Sequence, residues 1–114
     1  MDFRDVDGFM ANWHPEPVWT IGLDTVQDGL DAIRAGAEGE WATYGETHHW
    51  FANISTTVSG DSMHSECTND AILREIAGPT FRAAAMYVDD YAKSGGNWLI
   101  YRRSTTITFL EPMT

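Results

Sequence analysis

Apolar residues recur along the first part of the chain at helical spacing. In "DVDGFMANW" they are Val6, Phe9, Met10 and Trp13, which predicts a first helix. "HPEP" follows and stops it, because proline cannot continue a helix. "VWTIG" is β-branched and aromatic and reads as a short strand. In "DGLDAIRAGAEGEWATY", Leu30, Ile33, Ala37 and Trp41 fall on one helical face, with Asp28 as the N-cap. Gly36 and Gly39 weaken this helix, so its second half is expected to be irregular.

From His48 onward the period changes to that of strands. "HHWFANISTTVS", "SMHSECTNDAIL", "TFRAAAMYVDDYA" and "WLIYRRSTTITFL" are four long segments. Turns are expected around 60–61, 77–79 and 94–97, where Gly, Pro, Asp and Asn gather. Helices first and meandering strands after predict an α+β fold of one domain spanning 1–114, an antiparallel sheet curled around helices. On a strand, successive side chains point to opposite faces. His48 and His49 therefore cannot share one pocket or one metal unless a bulge intervenes. The face of His48 also carries Trp50, Ala52, Ile54 and Val58. A contiguous apolar face of that kind marks an interface, read here as a homodimer surface or that of a higher homo-oligomer.

Composition narrows the partners. Asp and Glu number 17 against 7 Lys and Arg, a formal net charge of −10 with no visible basic patch. Such a surface repels nucleic acid and anionic membranes. The one cysteine, Cys67, cannot form an internal disulfide, and no Cys/His spacing suggests zinc, so neither metal nor cofactor is expected. The N-terminus "MDFRDVDGF" lacks the apolar core of a signal peptide, and no apolar run reaches about 18 residues. A cytoplasmic location is the expectation. Five Trp, five Phe and four Tyr can line an apolar pocket as well as fill a core.

Read in order, these blocks resemble the NTF2-like (cystatin-like, SnoaL-like) superfamily. "DGFMANWHPEPVWTIG" resembles its first recognisable block and "DGLDAIRAG" the helix after the first strand. "THHWFANISTTVSGDS" resembles its first long strand and turn, and "AMYVDDYAKSGGNWLIYRRS" its closing hairpin. The chain most resembles the branch of scytalone dehydratase, the bile-acid dehydratase and hexachlorocyclohexane dehydrochlorinase. The resemblance implies a conical fold with a strongly bent antiparallel sheet and a deep apolar pocket for a small molecule. It implies His49 as a base, Asp2 as its carboxylate partner, and Arg103 on the last strand. Tyr44, Phe51, Asn53, Met86, Val88 and Thr105 are expected to contribute to the substrate wall. The resemblance also implies a further helix ahead of Asp2 that closes one side of the pocket; here Asp2 follows Met1, so either the true start lies upstream, or a neighbouring subunit covers the gap, or the site is degenerate.

A neutral histidine in an apolar pocket abstracts protons near neutral pH, since its unperturbed pKa is about 6.5. A carboxylate on its far nitrogen fixes the tautomer and stabilises the imidazolium, as in serine-protease triads. This chemistry suits a cofactor-free lyase, dehydratase or isomerase acting on an apolar small molecule. Two alternatives stay open: a non-catalytic binding module with the same pocket, and a polyketide-cyclase-like or epoxide-hydrolase-like enzyme that uses a carboxylate. Arg102 and Arg103 must face opposite ways, and whichever points inward needs an anion. That anion is a leaving group, a substrate carboxylate, or a protein carboxylate such as Asp89 or Asp90. Tyr44, Tyr87 and Tyr101 are candidate donors to a substrate oxygen. Asp89 and Asp90 split across their strand; ketosteroid isomerases, of the same fold, use carboxylic acids in an apolar pocket.

Overall fold

The computed structural model describes residues 1–113. Helix α1, Val6–Met10, makes little more than one turn and leads into strand β1, Trp13–Ile21. A short strand β2, Thr25–Asp28, doubles back on β1 before helix α2, Leu30–Thr43. Four long strands follow: β3 Tyr44–Ser59, β4 Ser62–Glu75, β5 Thr80–Ser94 and β6 Asn97–Pro112. Their connections lie at 60–61, 76–79 and 95–96, close to the positions expected from turn residues. Gly95 and Gly96 take φ of +59° and +82°, left-handed backbone that suits glycine in so short a hairpin.

The six strands form one sheet in the order β2-β1-β6-β5-β4-β3. The α+β architecture is the expected one, with one parallel pairing added: β1 lies parallel to β6, and every other neighbouring pair is antiparallel. Register shifts fall at Ala52/Ser55, where β3 carries the extra residue, and opposite Ala84/Ala85 and Asp90/Tyr91, where β6 carries it. Bulges of this kind bend a strand and curl the sheet.

Three local expectations are corrected. The first helix ends at Met10, and "HPEP" lies inside β1. Pairing of β1 with β6 shifts register between Trp13 and Val18, so Pro15 and Pro17 sit where the ladder asks for no N–H. Extension at Trp13 lets its ring stack on Trp19, with centroids 5.4 Å apart. Asp28 closes β2 rather than capping α2, and Gly29 (φ +96°) takes the N-cap. Finally, α2 continues unbroken through Gly36 and Gly39. Gly36 meets the Gln27 side chain of β2, and a Cβ there would clash with it. The glycine thus gives up helix propensity for close packing against the strand.

The core lies where the helices meet β1 and β6. Phe9, Met10, Trp13, Trp19, Ile33, Ala37 and Ile100 form it, with Ile33 fully buried. The concave face of β3–β6 is only partly covered, and that uncovered space is the cavity described next.

Candidate functional site

His48 and His49 separate as strand alternation requires. The His48 ring is on the exposed side and stacks on Trp50, centroids 4.0 Å apart. His49 lines a cavity of about 520 Å³, with its side chain 13% exposed. Its Nδ1–H donates to Asp2 Oδ1 at 2.6 Å. The Thr47 hydroxyl donates to the same oxygen at 3.0 Å, and the His49 backbone N–H donates to Oδ2 at 2.9 Å.

Asp2 is held from both sides. Arg4 takes a left-handed φ of 57°, closing a turn in which its N–H bonds the Met1 carbonyl at 3.0 Å. Its guanidinium donates to the carbonyls of Trp41, Tyr44 and Gly45, where α2 passes into β3. The Trp41 indole N–H donates to the Met1 carbonyl at 3.0 Å. Burial alone would raise the Asp2 pKa. The bonds from the His49 ring and amide, with the His49 charge and Thr47, outweigh it and hold the carboxyl below its usual range. An ionised carboxylate on Nδ1 keeps the proton there, leaving Nε2 as the acceptor.

A second carboxylate, absent from the sequence-based site, stands at that nitrogen. Glu40 Oε1 lies 4.0 Å from His49 Nε2, beyond hydrogen-bond range but with the side chain only 27% exposed. Burial raises its pKa, outweighing the lowering by the His49 charge; the Asp2 charge adds to the rise, and the amino terminus and Arg4 oppose it. A sequence signal existed: Ile33, Ala37 and Glu40 follow i, i+4, i+7, placing an acid on the apolar stripe of α2.

The rest of the wall is mainly apolar and aromatic, including Trp19, Ile21, Phe51, Tyr87, Ile107 and Leu110. Three alanines, Ala83, Ala84 and Ala85, leave the volume open. Arg103 lines the cavity, but Asp89 holds it: Nε donates to Oδ1 at 2.7 Å and Nη2 to Oδ2 at 3.1 Å. Of the anions an inward arginine needs, the fold supplies a protein carboxylate. Asp89 is 5% exposed, and the guanidinium stands 4.9–5.3 Å from the rings of Tyr87, Trp13 and Trp19. Burial pushes the Tyr87 phenol up to about 12, so it remains a neutral O–H donor on the wall. Thr105 accepts from the Trp19 indole N–H at 2.9 Å.

Tyr44, Phe51 and Thr105 thus stand in the wall with His49, Asp2 and Arg103. Asn53, Met86 and Val88 are not among its residues. Alternation from His49 would bring Asn53 inward, but the β3 bulge intervenes: Asn53 has φ 55° and its amide bonds Thr68 Oγ1 in an exposed position. Met86 and Val88 alternate with Tyr87 and Asp89, which take the inner face; Met86 is 44% exposed. Tyr101 packs under the Arg102 guanidinium at 3.7 Å, away from the cavity, and Asp90 pairs with exposed His64. Among the described residues no His, Cys, Asp or Glu cluster is placed to ligate a metal, and no helix is long and apolar enough to cross a membrane.

A family model described as "SnoaL-like domain" matches residues 1–104. Among curated proteins, none matches the sequence. Solved structures resemble it throughout. A hexachlorocyclohexane dehydrochlorinase (LinA type 2) superposes with a TM-score of 0.90 at 22% identity, over 99% of this chain and 78% of that one. A candidate scytalone dehydratase from Novosphingobium aromaticivorans gives 0.90 at 20%, over 99% and 77%. The type 3 LinA dehydrochlorinase of Novosphingobium barchaimii gives 0.87 at 18%, over 99% and 80%. At these identities the likeness establishes the NTF2-like fold.

Proposed function

The chain belongs to the SnoaL-like domain family, and from that premise we propose that it is a cofactor-free lyase or isomerase with His49 as its base. One observation carries the reading. The His49 ring is fixed by Asp2 on Nδ1 at 2.6 Å while the ring itself lines an apolar cavity. The resemblance to dehydrochlorinase and dehydratase structures supports the same class. Nε2 accepts a proton from a carbon acid, Asp2 stabilises the imidazolium, and the apolar wall excludes water that would compete. A base of this strength needs a C–H activated by a neighbouring carbonyl or similar group. The cavity volume suits an apolar ligand of one or two rings. Tyr87 offers a hydroxyl donor to the oxyanion that forms.

The base is tested with 5-nitrobenzisoxazole, whose ring opens to a coloured phenolate when its C–H proton is removed. The wild type is expected to open it and His49→Gln to fail. Equal rates in the two would overturn the reading, and binding of apolar ketones without turnover would favour a binding module.

The outer face supports a homo-oligomer, a dimer in the simplest case. Trp50 is 46% exposed there in the single chain, whereas the β3 bulge resets the alternation expected for Val58, which pairs with Met63 and so falls on the face of Asn69 and Ala71 instead. Mass in solution tests this, and Trp50→Glu is expected to dissociate the assembly. The acidic surface and the short apolar runs go with a cytoplasmic location.

A further inference from the structure

We propose that Glu40 is the general acid of this site, protonating a departing hydroxyl group while His49 removes the proton from the adjacent carbon. The proposal deepens the reading of His49 as base and rests on it. It names the substrate class: apolar β-hydroxy carbonyl compounds, whose reaction is loss of water.

The geometry carries the assignment. Glu40 comes from α2 and His49 from β3, and Oε1 and Nε2 stand 4.0 Å apart on the cavity wall. One bound substrate can therefore touch both. Asp2 occupies the other ring nitrogen, so the two carboxylates have different tasks. Asp2 is bonded three times and stays an anion. Glu40 makes no hydrogen bond to His49 at 4.0 Å, and its partial burial raises its pKa above the ordinary carboxylate value, the opposite direction from Asp2. Two carboxyl groups whose environments push them apart in this way divide the roles of anion and acid. The other charged groups facing Glu40 are Arg4 and the chain's amino terminus; the titratable Tyr44 phenol also lies near it.

The step balances without any co-reactant. His49 Nε2 takes the proton from the carbon next to the carbonyl. The C–H electron pair becomes the new C=C bond. The C–O bond at the next carbon breaks with its pair on oxygen, which takes the Glu40 proton and leaves as water. The proton now on His49 passes to the Glu40 carboxylate, and both groups are reset. An acid is needed because hydroxide, the conjugate base of a very weak acid, is a poor leaving group. Chloride leaves as the anion and needs no such proton. Glu40 thus sets the leaving group as well as the rate.

Two measurements test this. First, 3-hydroxycyclohexanone and 3-chlorocyclohexanone are compared as substrates of the wild type, Glu40→Gln and Glu40→Asp. The ratio of water loss to chloride loss is expected to fall at least about a hundredfold in Glu40→Gln. Glu40→Asp, which keeps the acid on a shorter arm, should fall between. An unchanged ratio overturns the proposal, as does a wild type that opens 5-nitrobenzisoxazole but removes no water. Second, carbon-13 NMR of glutamate-labelled wild type reads the carboxyl groups directly and needs neither a substrate nor a folded variant. One carboxyl is expected to stay protonated at a pH where the others have ionised, and all of them ionising together overturns the proposal. If His49→Gln still opens 5-nitrobenzisoxazole, the base reading fails, whatever the carboxyl spectrum says.

Discussion

Two histidines in this molecule each stand between two carboxylates. His49 has Asp2 at 2.6 Å on Nδ1 and Glu40 at 4.0 Å from Nε2. His64 has Asp90 at 2.7 Å on Nδ1 and Glu66 at 3.1 Å on Nε2. The side chains of the first trio are 13%, 28% and 27% exposed, and those of the second 44%, 58% and 53%. At His64 both nitrogens are occupied as donors, which favours the imidazolium; the bonds to Asp90 and then Glu66 raise its pKa. An imidazolium bonded twice has no lone pair to take a proton. At His49 one nitrogen is bonded and the other is left over a cavity. Pairing alone therefore does not fit a histidine to act as a base; a free ring nitrogen facing a cavity is also needed.

The largest expected effect separates the two rings directly. His49→Gln should lower proton abstraction from 5-nitrobenzisoxazole by about a thousandfold or more, while His64→Gln changes it by less than about twofold. Steady-state rates on the two variants check this, and comparable losses would erase the distinction.

Next comes the carboxylate that holds the ring. Asp2→Asn should cost on the order of a hundredfold in kcat with little change in KM, because the amide no longer stabilises the imidazolium. Arg4→Ala should cost about tenfold, since Arg4 only anchors the segment that carries Asp2. Asp90→Asn, the matching change at His64, should leave both constants unaltered.

The neighbouring aspartates of β5 extend the comparison to stability. Asp89→Asn leaves the half-buried Arg103 without its anion and should destabilise the fold by about 3 kcal/mol. Asp90→Asn breaks an exposed pair, and its denaturation midpoint should barely move.

The smallest effects are in pH dependence, and they run in opposite directions. The Asp2 pKa is lowered in the folded chain. Its stabilisation is present above the unfolded value of about 3.9 and is lost as pH falls through the folded one. The advantage of wild type over Asp2→Asn should therefore vanish in acid. The His64 pKa is raised. Its contribution is complete below about 6.5 and is lost as pH rises through the folded value. The advantage over His64→Gln should vanish on the alkaline side. Denaturation curves across pH read both.

Much of this molecule is local and was legible in the sequence. Period-two alternation decides that His48 and His49 part company, whatever the strand packs against. Glycine, proline and asparagine place the three long hairpins. Asn53, Met86 and Val88 show where a period alone fails. A bulge resets the alternation at Asn53, and the choice of inner face on β5 goes to Tyr87 and Asp89, the aromatic and the pair partner of Arg103.

What the sequence determined by itself is therefore the alternation of faces, the turns and the α+β order, because each depends on residues a few positions apart. The tertiary structure decided what meets. The parallel pairing of β1 with β6 joins residues about 85 apart. Asp2 reaches His49 only because Arg4 and Trp41 tie the first residues to the end of α2. Glu40 reaches the same ring only because α2 crosses the sheet at one particular rotation. Such meetings depend on how whole elements pack, and no spacing along a chain encodes the distance between a helix and a strand it lies across.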